Sequence, residues 1–191
     1  MKVVLASSSP YRSALLERLG LVFVGDPPQV DETPQAGESL ETLVRRLART
    51  KAKAAALRHR DSLIIACDQV STLDGAILGK PGSHARAVAQ LTSLSGRAVN
   101  FSTGLCVIQT RTRKRQEHID TTRVQFRALT AVEIERYLKA EQPYNCAGSF
   151  KSEGLGISLF ESIESNDPTA LIGLPLIALC RCLREFGVAL P

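Results

Sequence analysis

Carboxylates and cations stand along this chain where a strand or a loop could present them to a ligand. Asp68 directly follows the apolar run SLIIAC (62–67), beyond the carboxyl end of a strand that reads as buried. That is the side on which an α/β sheet takes its ligands. Asp31 and Glu32 lie in the polar, proline-bearing stretch PQVDETPQAGES, and Lys80 sits in a Gly-Lys-Pro turn. Arg12, Lys51 and Lys80 together match the charge of a triphosphate, while Glu32 and Asp68 suit a hard divalent cation held through oxygen. Each residue also has an ordinary reading: Asp68 as a capping or turn aspartate, Asp31 and Glu32 as solvated loop, Lys80 as a surface lysine.

The N-terminal stretch VVLASSSPYRSALLERLG adds an anion site. Ser9 is a good N-cap, Pro10 suits the first helical position, and Ala14, Leu15, Leu16 and Leu19 give one apolar face that ends at Gly20. The N-terminus of such a helix presents unpaired N–H groups to an anion. Arg12 in the first turn runs against the helix dipole, a conflict that a bound phosphate removes. A plain helix start with a solvated arginine remains the alternative.

Several nucleotide and hydrolase motifs are excluded. GAILGKP (75–81) is one residue short of a phosphate-binding Walker loop and has Pro81 where a hydroxyl is needed. GLGISL (154–159) lacks the third glycine of a dinucleotide loop, and there is no GxSxG nucleophile elbow. Five dispersed cysteines without CxxC read as small hydrophobes in a reducing compartment. No apolar run reaches the length of a membrane span, and Val3–Ala6 is too short for a signal-peptide core, so a cytoplasmic protein is expected. The net charge of +5 asks for an anionic partner, a nucleic acid or a small phosphate ester. Aromatic residues make up only 5%, with no basic-aromatic interleaving for stacking bases, which disfavours a nucleic-acid partner.

The elements that must position these groups alternate. Strands are predicted at Val3–Ala6, in LVFVGDPP, over SLIIAC, and in VNFSTGLCVIQT and EHIDTTRVQFRAL around the turn TRTRKR. Asp74-Gly75 marks a hairpin. Helices are expected from about Leu40 to Arg60, over 84–94 and 130–141, and after Pro175. The expected fold is one α/β domain over residues 1–191, a mixed, partly parallel twisted sheet flanked by helices. Residues of the 28–45 and 129–150 regions are expected to overhang it as a small lobe.

Taken in order, LASSSPYR (5–12), VDET (30–33), LARTKA (47–52), IIACDQV (64–70), LGKP (78–81), STGL (102–105), NCAGSFKSEGLG (145–156) and DPTALIGLPL (167–176) resemble the Maf family of nucleotide pyrophosphatases over nearly the whole chain. The resemblance implies a nucleotide cleft under the lobe, as in Maf and ITPase-like folds. It implies hydrolysis of a nucleoside triphosphate between the α and β phosphates. Asp68 is then the general base, Asp68 and Glu32 hold magnesium or manganese, and Ser7, Ser9, Arg12, Lys51 and Lys80 bind the phosphates. Gln69 after the aspartate, Tyr11 and Glu153 match the branch acting on 7-methyl-GTP, a non-standard nucleotide, rather than the dTTP/UTP branch. The partner implied is a small nucleotide, with no stable nucleic-acid partner and no membrane; homodimers are common among such enzymes. The dTTP/UTP branch and a basic nucleic-acid-binding module stand as the alternatives.

Overall fold

The apolar run after Lys2 becomes β1 (Lys2–Leu5), and its unbroken hydrophobicity matches burial on both faces. Parallel neighbours flank it, β2 (Phe23–Gly25) and β3 (Ser62–Leu73). The computed structural model describes residues 1–190. The further strands are β4 (Ala76–Leu78), β5 (Ala98–Gln109), β6 (Arg115–Phe126) and β7 (Phe160–Glu164). They form one sheet in the order β2-β1-β3-β5-β6-β7, with β4 paired to β3. The helices are α1 (Pro10–Glu17), α2 (Leu40–Ala56), α3 (His84–Leu94), α4 (Ala131–Glu141) and α5 (Leu176–Glu185). The mixed sheet expected from the sequence is therefore present: β3–β4 and β6–β7 are antiparallel, β1–β2 and β1–β3 parallel. Asp74 and Gly75 both take positive φ in the β3–β4 hairpin, as its tight turn requires.

Two expectations change. β3 does not stop before Asp68 but runs on to Leu73, because Ser71–Leu73 pair with β4. The strand that ends here is β1, whose last pair is Leu5 with Ile65. Asp68 thus lies past the carboxyl end of β1 and in mid-strand of β3. The chain also divides into two compact units, residues 1–69, 102–120 and from 167 on in the first, residues 70–101 and 121–166 in the second. Segment 28–45 belongs to the first and 129–150 to the second. The helix expected from about Leu40 to Arg60 ends at Ala56.

In the first unit the two-residue period of the strands sorts side chains onto two faces. Val3, Leu5, Leu63, Ile65, Cys67, Leu105 and Val107 pack with Leu15, Leu16, Leu179 and Leu183 of α1 and α5. Val4, Ala6, Ile64, Ala66, Cys106 and Ile108 pack instead on Ala48, Ala52 and Ala55 of α2. Burial pushes the Cys67 and Cys106 thiols up to about 12, in keeping with cysteines that serve as small hydrophobes. The alanine stripe lets α2 approach closely, and Gly104 on β5 completes the fit. A Cβ at Gly104 would stand 2.5 Å from the Val44 carbonyl oxygen.

The second unit is built around Phe101, Phe126, Phe150 and Phe160, whose rings meet edge to face with centroids 4.9–5.6 Å apart. Among the described residues no helix is long and apolar enough to cross a membrane.

Gly104→Ala forces a methyl group into the α2 backbone, where no side chain can yield. It should cost about 1–3 kcal/mol, in the range of overpacked cores. Urea unfolding should show a lower midpoint with an unchanged slope; an unaltered midpoint would mean that α2 tolerates displacement.

Candidate active site

Strand alternation places Asp68 on the face shared by Ile64 and Ala66, the face that α2 covers. One turn beyond Ala48, Lys51 follows the same helical stripe. Its Nζ donates to Asp68 Oδ1 at 2.5 Å and lies 2.7 Å from Glu32 Oε1. Asp68 and Lys51 are buried, whereas Glu32 closes the group from an exposed loop. Burial raises the Asp68 carboxyl above its ordinary value of 3.8; Lys51 and Arg12 oppose that rise and Glu32 reinforces it. A carboxylate so placed is a better proton acceptor than a solvated aspartate. The folded value lies above the unfolded one, so the stability this group contributes is present below pH 3.8 and is lost as pH rises through the folded value.

The two carboxylates already converge on one cation, the Lys51 ammonium, and this donor set fits a hard divalent ion. Among the described residues no group of three or more His, Cys, Asp or Glu is gathered. Two carboxylates with substrate and water oxygens is the set that magnesium ordinarily takes.

The loop that carries Glu32 is shaped by its neighbours. Arg46, five residues before Lys51 on α2, donates through Nε to Glu38 Oε1 at 2.6 Å and through Nη2 to the Thr33 carbonyl at 3.0 Å. Asp31 Oδ1 accepts from the Thr33 amide at 2.9 Å, an Asx turn beside Glu32. Asp31 is therefore a loop-shaping residue.

At the strand-to-helix turn, Ser9 caps α1, its hydroxyl accepting from the Arg12 amide, and Ser7 Oγ accepts from the Ser9 amide at 3.1 Å. Arg12 is not a solvated cation. Its Nε donates to the Gly173 carbonyl at 2.9 Å and its Nη1 to Ser7 Oγ at 3.3 Å. Gly173 has φ +122°, a conformation that other residues rarely adopt, and its Cα packs beside the Arg12 side chain. The loop carrying Gly173 is fixed by Asp167, which accepts from the Thr169 amide and hydroxyl at Oδ1 and from the Ile177 amide at Oδ2. Thr169 Oγ1 in turn accepts from the Leu176 amide at 2.8 Å. These two side chains cap α5 in place of Pro175. DPTALIGLPL was visible as a motif, but only the Asp-x-Thr spacing hinted at this capping.

Gln69 faces the side opposite to Asp68. Its amide nitrogen donates to the Ala170 carbonyl at 2.8 Å, to Leu171 at 3.1 Å and to Thr103 Oγ1 at 3.0 Å. With the nitrogen so committed, the side chain is an acceptor through Oε1 rather than the adaptable donor and acceptor expected. Tyr11, half-buried, precedes Arg12 on α1. The structure thus gathers Glu32, Lys51 and Asp68, and separately Ser7, Ser9 and Arg12, within the first unit.

Lys80 and Glu153 belong to the second unit. Lys80 is exposed on a turn held from both sides, Gly79 O accepting from Gln90 Nε2 at 3.1 Å and Gly82 N donating to Tyr144 O at 2.9 Å. Glu153 is exposed beside Ser152, whose hydroxyl donates to it at 3.4 Å.

Lys51→Met removes the nearest cation from Asp68. The Asp68 carboxyl should titrate above 3.8 in the wild type and higher still in the variant. Carboxyl-carbon NMR of the substrate-free protein reads this directly, and an unchanged titration would show that the two groups are not coupled.

Known proteins resemble this chain along its length. A family model described as Maf-like protein matches residues 2–186. A protein of Xanthomonas oryzae pv. oryzae named 7-methyl-GTP pyrophosphatase is 56% identical over 191 residues, covering 100% of this chain and 99% of its own length. Proteins of the same name from Hydrogenovibrio crunogenus and Cupriavidus pinatubonensis are 50% and 54% identical, covering 100% and 97% of this chain and 95% and 94% of their own. With a family match from end to end and relatives this similar along their full lengths, the chain belongs to the Maf family.

Proposed function

We propose that the protein hydrolyses 7-methyl-GTP to 7-methyl-GMP and diphosphate, removing a non-standard nucleotide. The observation that carries the reaction type is the buried Asp68 carboxylate, paired to Lys51, whose ammonium also meets the exposed Glu32. The substrate is supported by the names of relatives that are 50–56% identical over the whole chain.

Hydrolysis of a phosphoanhydride is mainly positioning and charge neutralisation. Asp68 takes a proton from the attacking water as its oxygen bonds to the α phosphorus. The bond from that phosphorus to the bridging oxygen breaks, and diphosphate leaves with the bond's electron pair. Arg12, already aimed by Gly173, meets phosphate oxygens at the N-terminus of α1 together with Ser7 and Ser9. Lys51 exchanges its carboxylate partners for phosphate, and Lys80 adds charge to the polyphosphate. A magnesium or manganese ion, held by Asp68 and Glu32, would polarise the phosphate and acidify the water.

The base is where charge discriminates. Methylation at N7 makes the guanine ring cationic and leaves N1–H and the N2 amine as adjacent donors. Glu153 can accept both as a bidentate carboxylate. Tyr11 offers a π-face to the cationic ring, and Gln69 offers a fixed acceptor. Against a nucleic-acid-binding role, four cations of the basic stretches are engaged in ion pairs: Arg49 and Arg115 on Glu117, Arg46 on Glu38 and Arg58 on Asp26.

The purified protein, given magnesium or manganese and a panel of 7-methyl-GTP, GTP, UTP and dTTP, should yield monophosphate and diphosphate, fastest from 7-methyl-GTP. Asp68→Asn should fold and lose about 10²–10⁴-fold in kcat. Preference for UTP or dTTP would move the assignment to the pyrimidine branch. Salt-sensitive oligonucleotide binding without hydrolysis would replace it altogether.

A further inference from the structure

The segment 151–156, which carries Glu153, has no regular strand or helix to hold its first half, yet it is fastened at several points to α4. The Lys151 amide donates to Tyr137 Oη at 3.1 Å. Lys151 Nζ donates to Glu141 Oε1 at 3.1 Å and to the Glu141 carbonyl at 3.3 Å. The other carboxylate oxygen, Oε2, accepts from the Leu155 amide at 2.8 Å. Glu141 therefore grips the segment on both sides of Glu153, two residues before it and two after.

Two glycines make the grip close. A Cβ at Gly154 would stand 2.6 Å from Glu141 Oε2, and one at Gly156 would stand 2.3 Å from the Lys151 carbonyl oxygen. The segment's entrance is anchored as well, since Phe150 is buried against Phe101, Phe126 and Phe160. The amide of Leu155 and the ammonium of Lys151 hold the Glu141 carboxyl below its ordinary value of 4.5, so it stays ionised through the neutral range. All of this rigidity serves a stretch whose central side chain, Glu153, points no bond of its own into the core.

We propose that Glu141 is a positioning residue for base selection: by clamping Lys151 and Leu155 it fixes the backbone from which Glu153 reads the nucleobase. The inference rests on the base-reading role given to Glu153 above. A loop carboxylate free to swing could meet many donors equally well. One held on a clamped backbone distinguishes the paired donors of a guanine edge from the single ring N–H of uracil or thymine.

The test compares kcat/KM for 7-methyl-GTP and UTP in wild type, Glu141→Ala, Glu153→Gln and the double variant. Glu153→Gln should lower the 7-methyl-GTP to UTP ratio by about 10–100-fold, the range for a hydrogen bond to a charged group. Glu141→Ala should lower the same ratio while leaving UTP turnover near wild type. Added to Glu153→Gln it should change the ratio little, because its effect passes through Glu153. Equal loss on both nucleotides, an unchanged ratio in Glu141→Ala, or full additivity in the double variant overturns the inference and leaves the base-reading role intact. An unchanged ratio in Glu153→Gln removes that role and the inference with it. Should Glu141→Ala fail to fold, Glu141→Gln keeps the acceptor for Leu155 but loses the ion pair with Lys151. An intermediate ratio is then expected, and a wild-type ratio overturns the proposal.

Discussion

A buried ammonium shared between two carboxylates is the constraint around which the first unit is arranged. Lys51 and Asp68 lose most of their hydration, a cost that their close pairing offsets. That pairing in turn dictates how near α2 must come to the sheet. The alanines that line α2, and Gly104 beneath it, exist in service of that distance. Glu32 adds a second carboxylate from the solvent side, leaving the trio with one surplus negative charge. Such a cluster is at rest with its own lysine and receptive to a cation, and it can release the lysine to an incoming anion without stranding a charge.

Around that pair, the machinery that aims side chains is made largely of main chain. Arg12 is directed by the carbonyl of Gly173, Gln69 by those of Ala170 and Leu171, and the loop that supplies them is tied to α5 by Asp167 and Thr169. The two neighbours in sequence, Asp68 and Gln69, consequently serve opposite faces of the sheet. One answers to α2 and the other to the segment before α5.

How much of this was legible in the sequence follows from the range of each interaction. Helix starts were readable because caps and apolar spacing are local: Ser9 caps α1 as its position suggests, and α2 and α3 begin at Leu40 and His84 as expected. The Asp74-Gly75 hairpin was readable for the same reason. Asp68 was singled out as a carboxylate beyond a strand end, but its place in mid-strand was not legible, since β3 continues only through pairing with β4. β7 escaped notice because its residues, from Phe160 to Glu164, are half-buried or exposed and form no apolar run. The supports of the site were the least visible. Arg46, Asp167 and Glu141 look like ordinary charges until partners many residues away define them, and a glycine such as Gly104 reveals its purpose only when the helix above it is in view.

The division of the chain into interleaved units has a consequence for its synthesis. The face formed by Leu5, Leu63, Ile65 and Leu105 is covered on one side by Leu174, Leu176, Leu179 and Leu183, which the ribosome delivers only after the second unit. A nascent chain must carry that apolar face bare while the whole second unit is being made. Parallel pairing of β1 with β3 already bridges some sixty residues, a slow contact to close. The birth of this protein is therefore a race between late closure and association with other chains, and a message cut short near Asn166 would yield a product with its core laid open.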